Sequence, residues 1–222
     1  MAKILEIFKT VFSSSFIILL IFMAMAEIKV EAQEQEGHLP NNEVEALKEV
    51  ATQLGKKDWN FKVDPCSKDT SWVTPNSNDR PYFSNNVTCN CSFSGGECHV
   101  VSISLKGQDL AGVLPRAIVK LPYLNFLDLN LNYLSGDIPR EWASMKLEYL
   151  ILSVNRLTGQ IPTYLGNIVT LRGLSIENNM FSGTVPPQLG NLVDLEILFL
   201  SANNLTGTLP VALTNLTKLT VL

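Results

Sequence analysis

Residues 147–162 read LEYLILSVNRLTGQIP, and this skeleton, LxxLxLxxNxLxGxIP, starts again with small changes at Val100, Leu124, Leu171 and Leu195. A sixth copy starts at Leu219 and stops at Leu222. Successive starts are 24, 23, 24, 24 and 24 residues apart. A period of this length marks a solenoid, in which each unit buries its apolar edge only by stacking on its neighbours. A stack of that kind is a surface for holding something, so the first functional expectation is binding, not catalysis.

Each repeat follows from its residues. In an extended chain Leu150 and Leu152 fall on one side and Tyr149 and Ile151 on the other. Leu127 with Leu129, Leu174 with Ile176, and Leu198 with Leu200 repeat the pattern. The inward set is expected to stack into one core while the extended segments form a parallel sheet. An asparagine follows in register at 132, 155, 179 and 203, with Gln108 in the first unit. A buried amide with two donors and an acceptor can satisfy backbone groups where the strand turns away, and stacked copies make a ladder; Gln108 is expected to weaken its first rung. Glycine returns at 112, 136, 159, 183 and 207, where the backbone is expected to need a conformation costly for other residues. Proline at 115, 139, 162, 186 and 210 stiffens the return path. The second unit is one residue short between Glu141 and Leu147, a loss to be absorbed on the convex side.

The first hundred residues have a different organisation. Lys3 and Lys9 precede the apolar run Phe16 to Ala26, which ends in the small residues Ala24 and Ala26. Residues 1–26 thus read as a secretory signal cleaved after Ala26, with a second acceptable site at Val30-Glu31-Ala32. The run is too short for a membrane span, which needs about 20 apolar residues. Residues 27–39 read as a flexible acidic segment, and residues 40–99 as a cap for the open end of the stack. A helix is expected after Pro40, with Asn42 and Glu45 as a capping box, Val44, Leu47, Ala51 and Leu54 as its apolar stripe, and Gly55 as its stop. Trp59 and Trp72 are expected to fill the cap.

Four cysteines, Cys66, Cys89, Cys91 and Cys98, lie in the cap, and a secreted chain should oxidise them. Spacing does not choose among three pairings, but the glycine-bearing loop between Cys91 and Cys98 favours closing that hairpin, leaving Cys66 for Cys89. A zinc site from Cys89, Cys91, Cys98 and His99 is the rival, disfavoured by the C-x-C spacing and the oxidising compartment. Sequons at Asn86, Asn90, Asn204 and Asn215 are candidate glycan acceptors, Asn90 the poorest because it sits between cysteines. With 17 basic against 21 acidic side chains and no basic run, nothing points to nucleic acid. No catalytic constellation, metal site or cofactor motif is found.

Leu134-Ser135-Gly136-Asp137-Ile138-Pro139, Leu157-Thr158-Gly159-Gln160-Ile161-Pro162 and Leu205-Thr206-Gly207-Thr208-Leu209-Pro210 resemble the plant-type leucine-rich repeat. Trp59-Asn60-Phe61, Asp64-Pro65-Cys66 and Val87-Thr88-Cys89 resemble that family's N-terminal cap. Asn132-Tyr133-Leu134, Pro139-Arg140-Glu141-Trp142 and Asn155-Arg156-Leu157-Thr158-Gly159 are similar to plant receptor-like serine/threonine kinases in which a malectin-like domain, one membrane span and a kinase follow the repeats. The resemblance implies a leucine-rich-repeat solenoid with a parallel β-sheet on its concave face, a 3-10 or irregular convex side and a disulfide-stapled helical cap. It also implies an extracellular region that captures a peptide, carbohydrate or co-receptor protein at the outer face of the plasma membrane. Repeats are expected at 100–123, 124–146, 147–170, 171–194 and 195–218, with a broken sixth at 219–222. No glycine-rich phosphate loop, H-R-D or D-F-G occurs, so the chain itself is expected to be no enzyme. The uncapped finish at Leu222 reads as a partial product. The rival is a stand-alone secreted repeat protein of the cell-wall enzyme-inhibitor kind.

By register the concave face carries Ser102, Ser104, Lys106, Phe126, Asp128, Asn130, Tyr149, Ile151, Ser153, Gly173, Ser175, Glu177, Ile197, Phe199 and Ser201. Of these, Phe126, Asp128, Tyr149, Ile151, Glu177, Ile197 and Phe199 are the candidate ligand-binding residues, because an exposed aromatic and aliphatic patch marks an interaction site. The competing reading is incidental surface packing. Asp128 and Glu177 read as solvated charges, since no catalytic pocket is expected on an open face. Trp142 is placed in convex-side packing.

Overall fold

The structure is a computed structural model that describes residues 37–74 and 82–221. The expected signal segment (1–26), residues 27–36 and Leu222 lie outside the described residues. Among the described residues, one α-helix, α1 (Asn41–Leu54), is followed by ten short strands. These are β1 (Asn86–Asn90), β2 (His99–Ser104), β3 (Phe126–Asp128), β4 (Ser135–Gly136) and β5 (Tyr149–Ile151). Then come β6 (Arg156–Leu157), β7 (Gly173–Ser175), β8 (Ser182–Gly183), β9 (Ile197–Phe199) and β10 (Asn204–Leu205). The main sheet runs β1-β2-β3-β5-β7-β9, parallel throughout except that β1 pairs antiparallel with β2.

Leu127, Leu150, Leu174 and Leu198 pair side by side and are fully buried, as are Leu129, Leu152 and Ile176. They form the spine of one continuous core that takes in the cap. On the convex side each coil closes with a single 3-10 turn: Arg116–Lys120, Arg140–Ser144, Thr163–Asn167, Pro187–Asn191 and Val211–Asn215. The short repeat keeps its turn and loses the residue just after it. Met145 takes ψ 158°, extended, where Ile168, Leu192 and Leu216 take 61–65°. Trp142 fills the space beneath, fully buried, its indole N–H donating to the Pro115 carbonyl at 3.0 Å.

The asparagine register is a hydrogen-bonded ladder. Asn179 Nδ2 donates to the carbonyls of Leu152, Ile176 and Glu177, and its Oδ1 accepts from the Leu157 N–H, all at 3.0–3.1 Å. Asn155 and Asn203 repeat the arrangement, and Asn132 accepts twice, from Gln108 N–H and Leu110 N–H. Each amide therefore ties its own turn to the preceding repeat. The Gln108 side chain makes none of the ladder's bonds, so the first rung is weaker, as expected. That side chain is re-aimed at the cap, donating to Ser84 O at 2.7 Å and accepting from the buried Lys56 Nζ at 2.7 Å.

A second, flanking ladder joins β4 to β6 and β8 to β10, and bridges Val113 to Ser135 and Gln160 to Ser182. Gly136 and Gly183 pair within it. Gly136, Gly159, Gly183 and Gly207 take φ 77–85°, the left-handed region that other residues enter at a cost. Gly112 differs: a Cβ there would stand 2.1 Å from the Gln53 carbonyl oxygen. Its glycine is needed for the close approach of α1, not for a positive φ.

Two expectations about the cap are corrected. The capping box does not form, because helical geometry starts at Asn41, directly after Pro40. Asn42 lies inside the first turn, the Pro40 carbonyl accepts from Glu43 and Val44 N–H, and Glu45 pairs with Lys48 at 2.7 Å. The helix stripe also contains Glu43, fully buried, which accepts from Val100 N–H at 3.0 Å and bonds His99 Nδ1 at 2.5 Å. Residues 37–39 belong to the packed cap rather than a flexible segment: His38 exchanges backbone bonds with Gly96 and Cys98, and Leu39 is buried. Disulfides join Cys66 to Cys89 and Cys91 to Cys98, the pairing favoured by the glycine loop. Trp59 and Trp72 stack in the cap at 4.9 Å.

Asn179→Ala strands the Leu157 N–H and removes one of the two hydrogen bonds that each of the Leu152, Ile176 and Glu177 carbonyls accepts, across two repeats. It should cost about 3 kcal/mol in urea unfolding, while the exposed Asn167→Ala should cost about 0.5 kcal/mol or less.

Candidate functional site

Strand pairing turns the outward side chains into parallel tracks across the sheet. Ser102, Phe126, Tyr149, Gly173 and Ile197 form one; Ser104, Asp128, Ile151, Ser175 and Phe199 form the next. A third, two residues further along each coil, holds Lys106, Asn130, Ser153, Glu177 and Ser201. β7 supplies Gly173 and Ser175 where its neighbours supply Tyr149, Ile151, Ile197 and Phe199. The face sinks there into a depression of about 290 Å³, whose wall also takes in Asn130, Ser153, Val154 and Glu177. Tyr149 leans across it; a Cβ on Gly173 would stand 2.6 Å from its Cδ1. The floor is closed by a hydrogen bond between the buried Ser153 and Ser175 hydroxyls.

Of the residues singled out from sequence, Tyr149, Ile151, Glu177, Ile197 and Phe199 meet at this depression. Phe126 and Asp128 lie one strand away, the Phe126 ring 5.8 Å from Tyr149. Sequence reasoning put Ser153, Gly173 and Ser175 on the face but missed that they are buried as its floor. The signal was present, since two small residues stand in register between rows of large ones. A larger hollow of about 440 Å³ lies over the core residues Leu198, Leu200 and Leu205 and is also lined by the exposed Leu209. Among the described residues, no helix is long and apolar enough to cross a membrane and no cluster of His, Cys, Asp or Glu could hold a metal ion.

The Leucine Rich Repeat family matches residues 146–168, 170–192 and 194–216. A probable LRR receptor-like serine/threonine-protein kinase of Arabidopsis thaliana is 48% identical over 132 residues. That alignment covers 59% of this chain and 13% of the relative, so the chain spans only a small part of the relative's length. The ectodomain of the Arabidopsis thaliana receptor kinase SOBIR1 matches with a TM-score of 0.65 and 26% identity, over 83% of this chain and 91% of that one. The Arabidopsis receptor kinase HAESA, solved in complex with the peptide hormone IDA and the co-receptor SERK1, matches with a TM-score of 0.55 and 28% identity. There the match covers 82% of this chain and 33% of that one. The chain is a leucine-rich-repeat solenoid homologous to plant receptor-like serine/threonine kinases.

Two carboxylates give the leucine-rich-repeat face its electrostatic character. Glu177 Oε2 accepts from Ser201 Oγ at 3.0 Å. Asp128 is held by Asn130 N–H at 2.9 Å and Ser104 Oγ at 3.4 Å. Burial nonetheless pushes its carboxyl above the ordinary 3.8, against the pull of the Asn130 N–H, the Lys106 charge and Ser104. The folded protein therefore holds this proton more tightly than the unfolded chain, and native stability falls as pH rises through the raised value. Asp128→Asn should raise the denaturation midpoint at pH 7, and the gain should vanish by about pH 3, where both states of the wild type are protonated. A gain independent of pH would locate the effect elsewhere.

Proposed function

We propose that this chain is the extracellular, partner-binding region of a plant receptor-like serine/threonine kinase, and that its concave face captures an extracellular peptide or co-receptor protein. The single observation that carries this reading is the apolar depression between Tyr149, Ile151, Ile197 and Phe199, on a coil homologous to receptor kinases. A preformed hollow lined by aromatic and aliphatic side chains is where a protein partner finds an anchor. The kinase activity, a membrane span and a malectin-like domain after the repeats belong to the complete protein envisaged here. Capture at the outer surface would be coupled to the kinase across the membrane.

The cap is consistent with the secretory route, since both disulfides need an oxidising compartment. We place glycans on Asn90, Asn204 and Asn215, whose side chains are exposed, ahead of Asn86, whose Oδ1 is buried. None of the three lines the depression, so glycans there leave it open.

Phe126→Ala combined with Tyr149→Ala should abolish partner capture without unfolding the coil. The test is quantitative mass spectrometry of plant extracellular fluid retained on immobilised wild-type and double-variant protein of equal thermal midpoint. Indistinguishable retained sets would remove the concave face as the binding surface.

A further inference from the structure

The depression has a chemical bias along one edge. Its apolar walls end at the track that holds Asn130, Ser153 and Glu177. Glu177 Oε1 makes no hydrogen bond and no Lys or Arg among the described residues pairs with it. Asn130 Oδ1 is buried without a hydrogen-bond partner, a condition rare enough to need a reason. The neighbouring strand adds Asp128. Lys106 is the single base on the three tracks. It lies at the cap end, 5.3 Å from the Tyr82 ring centroid, with its charge facing Asp128. Lys120 and Lys218 are paired with Glu49 and Asp194, and Arg172, whose charge is felt at Tyr149, is paired with Glu196. The centre of the face is therefore apolar and anionic.

Size narrows the occupant. About 290 Å³ is at the small end of the roughly 300–1,000 Å³ usual for small-molecule sites. It suits one large side chain, and the open face above leaves room for the backbone that carries it.

We propose that the depression selects a peptide segment carrying an aliphatic or aromatic side chain beside a Lys or Arg. The apolar group sits over Gly173, between Tyr149 and Phe199, and the cation meets Glu177. The inference rests on the concave-face reading above and deepens it by naming the partner's chemistry. Charge complementarity of this kind fixes register and steers encounter as well as adding affinity.

The test is selection of phage-displayed random heptapeptides on the immobilised, processed chain, followed by affinity measurement of the enriched sequences as synthetic peptides. The enriched set should place Lys or Arg within two residues of a Leu, Ile, Phe or Tyr. Glu177→Gln keeps an acceptor for Ser201 and should leave the thermal midpoint unchanged. It should weaken those peptides about tenfold or more, the loss expected when a charge-assisted bond becomes neutral. No enrichment, an enriched set without basic excess, or peptides indifferent to Glu177→Gln would overturn the proposal. Binders lost on Tyr149→Ala yet indifferent to Glu177→Gln would leave the concave-face reading standing and remove only the cationic requirement. Binders indifferent to both would overturn both.

Discussion

The constraint on which this molecule turns is that a backbone leaving a strand at the same place in every coil must have its carbonyls and N–H groups satisfied away from water. A buried unpaired backbone group costs about as much as a lost hydrogen bond, so the turn cannot be left open. The asparagine amide resolves this with one side chain that reaches both its own turn and the coil before it. Asn155, for example, donates to Leu129 O in the second repeat and to Leu152 O in its own. The same bonds that satisfy the turn therefore also fix the register between coils. With register fixed, Leu127, Leu150, Leu174 and Leu198 must meet, and so must the side chains on the opposite edge. The inner core and the outer face are two consequences of one set of hydrogen bonds.

That coupling explains what could be read from the chain and what could not. The spine, the ladder and the outward tracks were legible because each is periodic, and periodicity survives translation into geometry without knowledge of distances. The departures arose where one coil meets something that is not a coil. Gly112 occupies a repeat glycine's place but answers to the Gln53 carbonyl of α1. Gln108 occupies an asparagine's place but answers to Lys56 and Ser84. Glu43 sits on the apolar stripe of α1 because the first parallel strand, having no earlier coil, needs an acceptor for Val100 N–H. A capping box could be drawn on Asn42 and Glu45, yet the N-cap falls on Pro40, two positions earlier, enough to remove the geometry it requires. These junction roles depend on which partner arrives, and a single chain of letters does not carry that.

The depression is a third kind of feature, neither periodic nor junctional. It exists because the periodic frame is rigid while its outward residues vary freely. Every coil presents the same backbone, so relief on the face is set by side-chain volume alone. Tyr149 and Ile197 flank Gly173, and Ile151 and Phe199 flank Ser175, so two small residues make a hollow that no backbone movement is needed to open. Pre-organisation of this sort lowers the ordering cost of binding. It also explains why the family-defining positions say nothing about the partner: Leu, Asn, Gly and Pro are used by the fold, and specificity falls to residues the repeat leaves unconstrained.

Asp128 shows the face is not tuned for stability. Its neighbours at equivalent positions are Ser104, Ile151, Ser175 and Phe199, none of which carries a charge, and the backbone would accept any of them there. Instead a carboxylate is partly withdrawn from water with a single base, Lys106, acting on it, and burial raises its proton affinity. Two coils on, Glu177 adds a second carboxylate to the face, with Ser201 as its hydrogen-bond partner. A charge desolvated by its surroundings is destabilising until an opposite charge is brought to it. On a frame whose shape is already fixed by leucine and asparagine, Lys106, Asn130 and Ser104 offset only part of that deficit at Asp128, and the cationic partner proposed above would offset more of it.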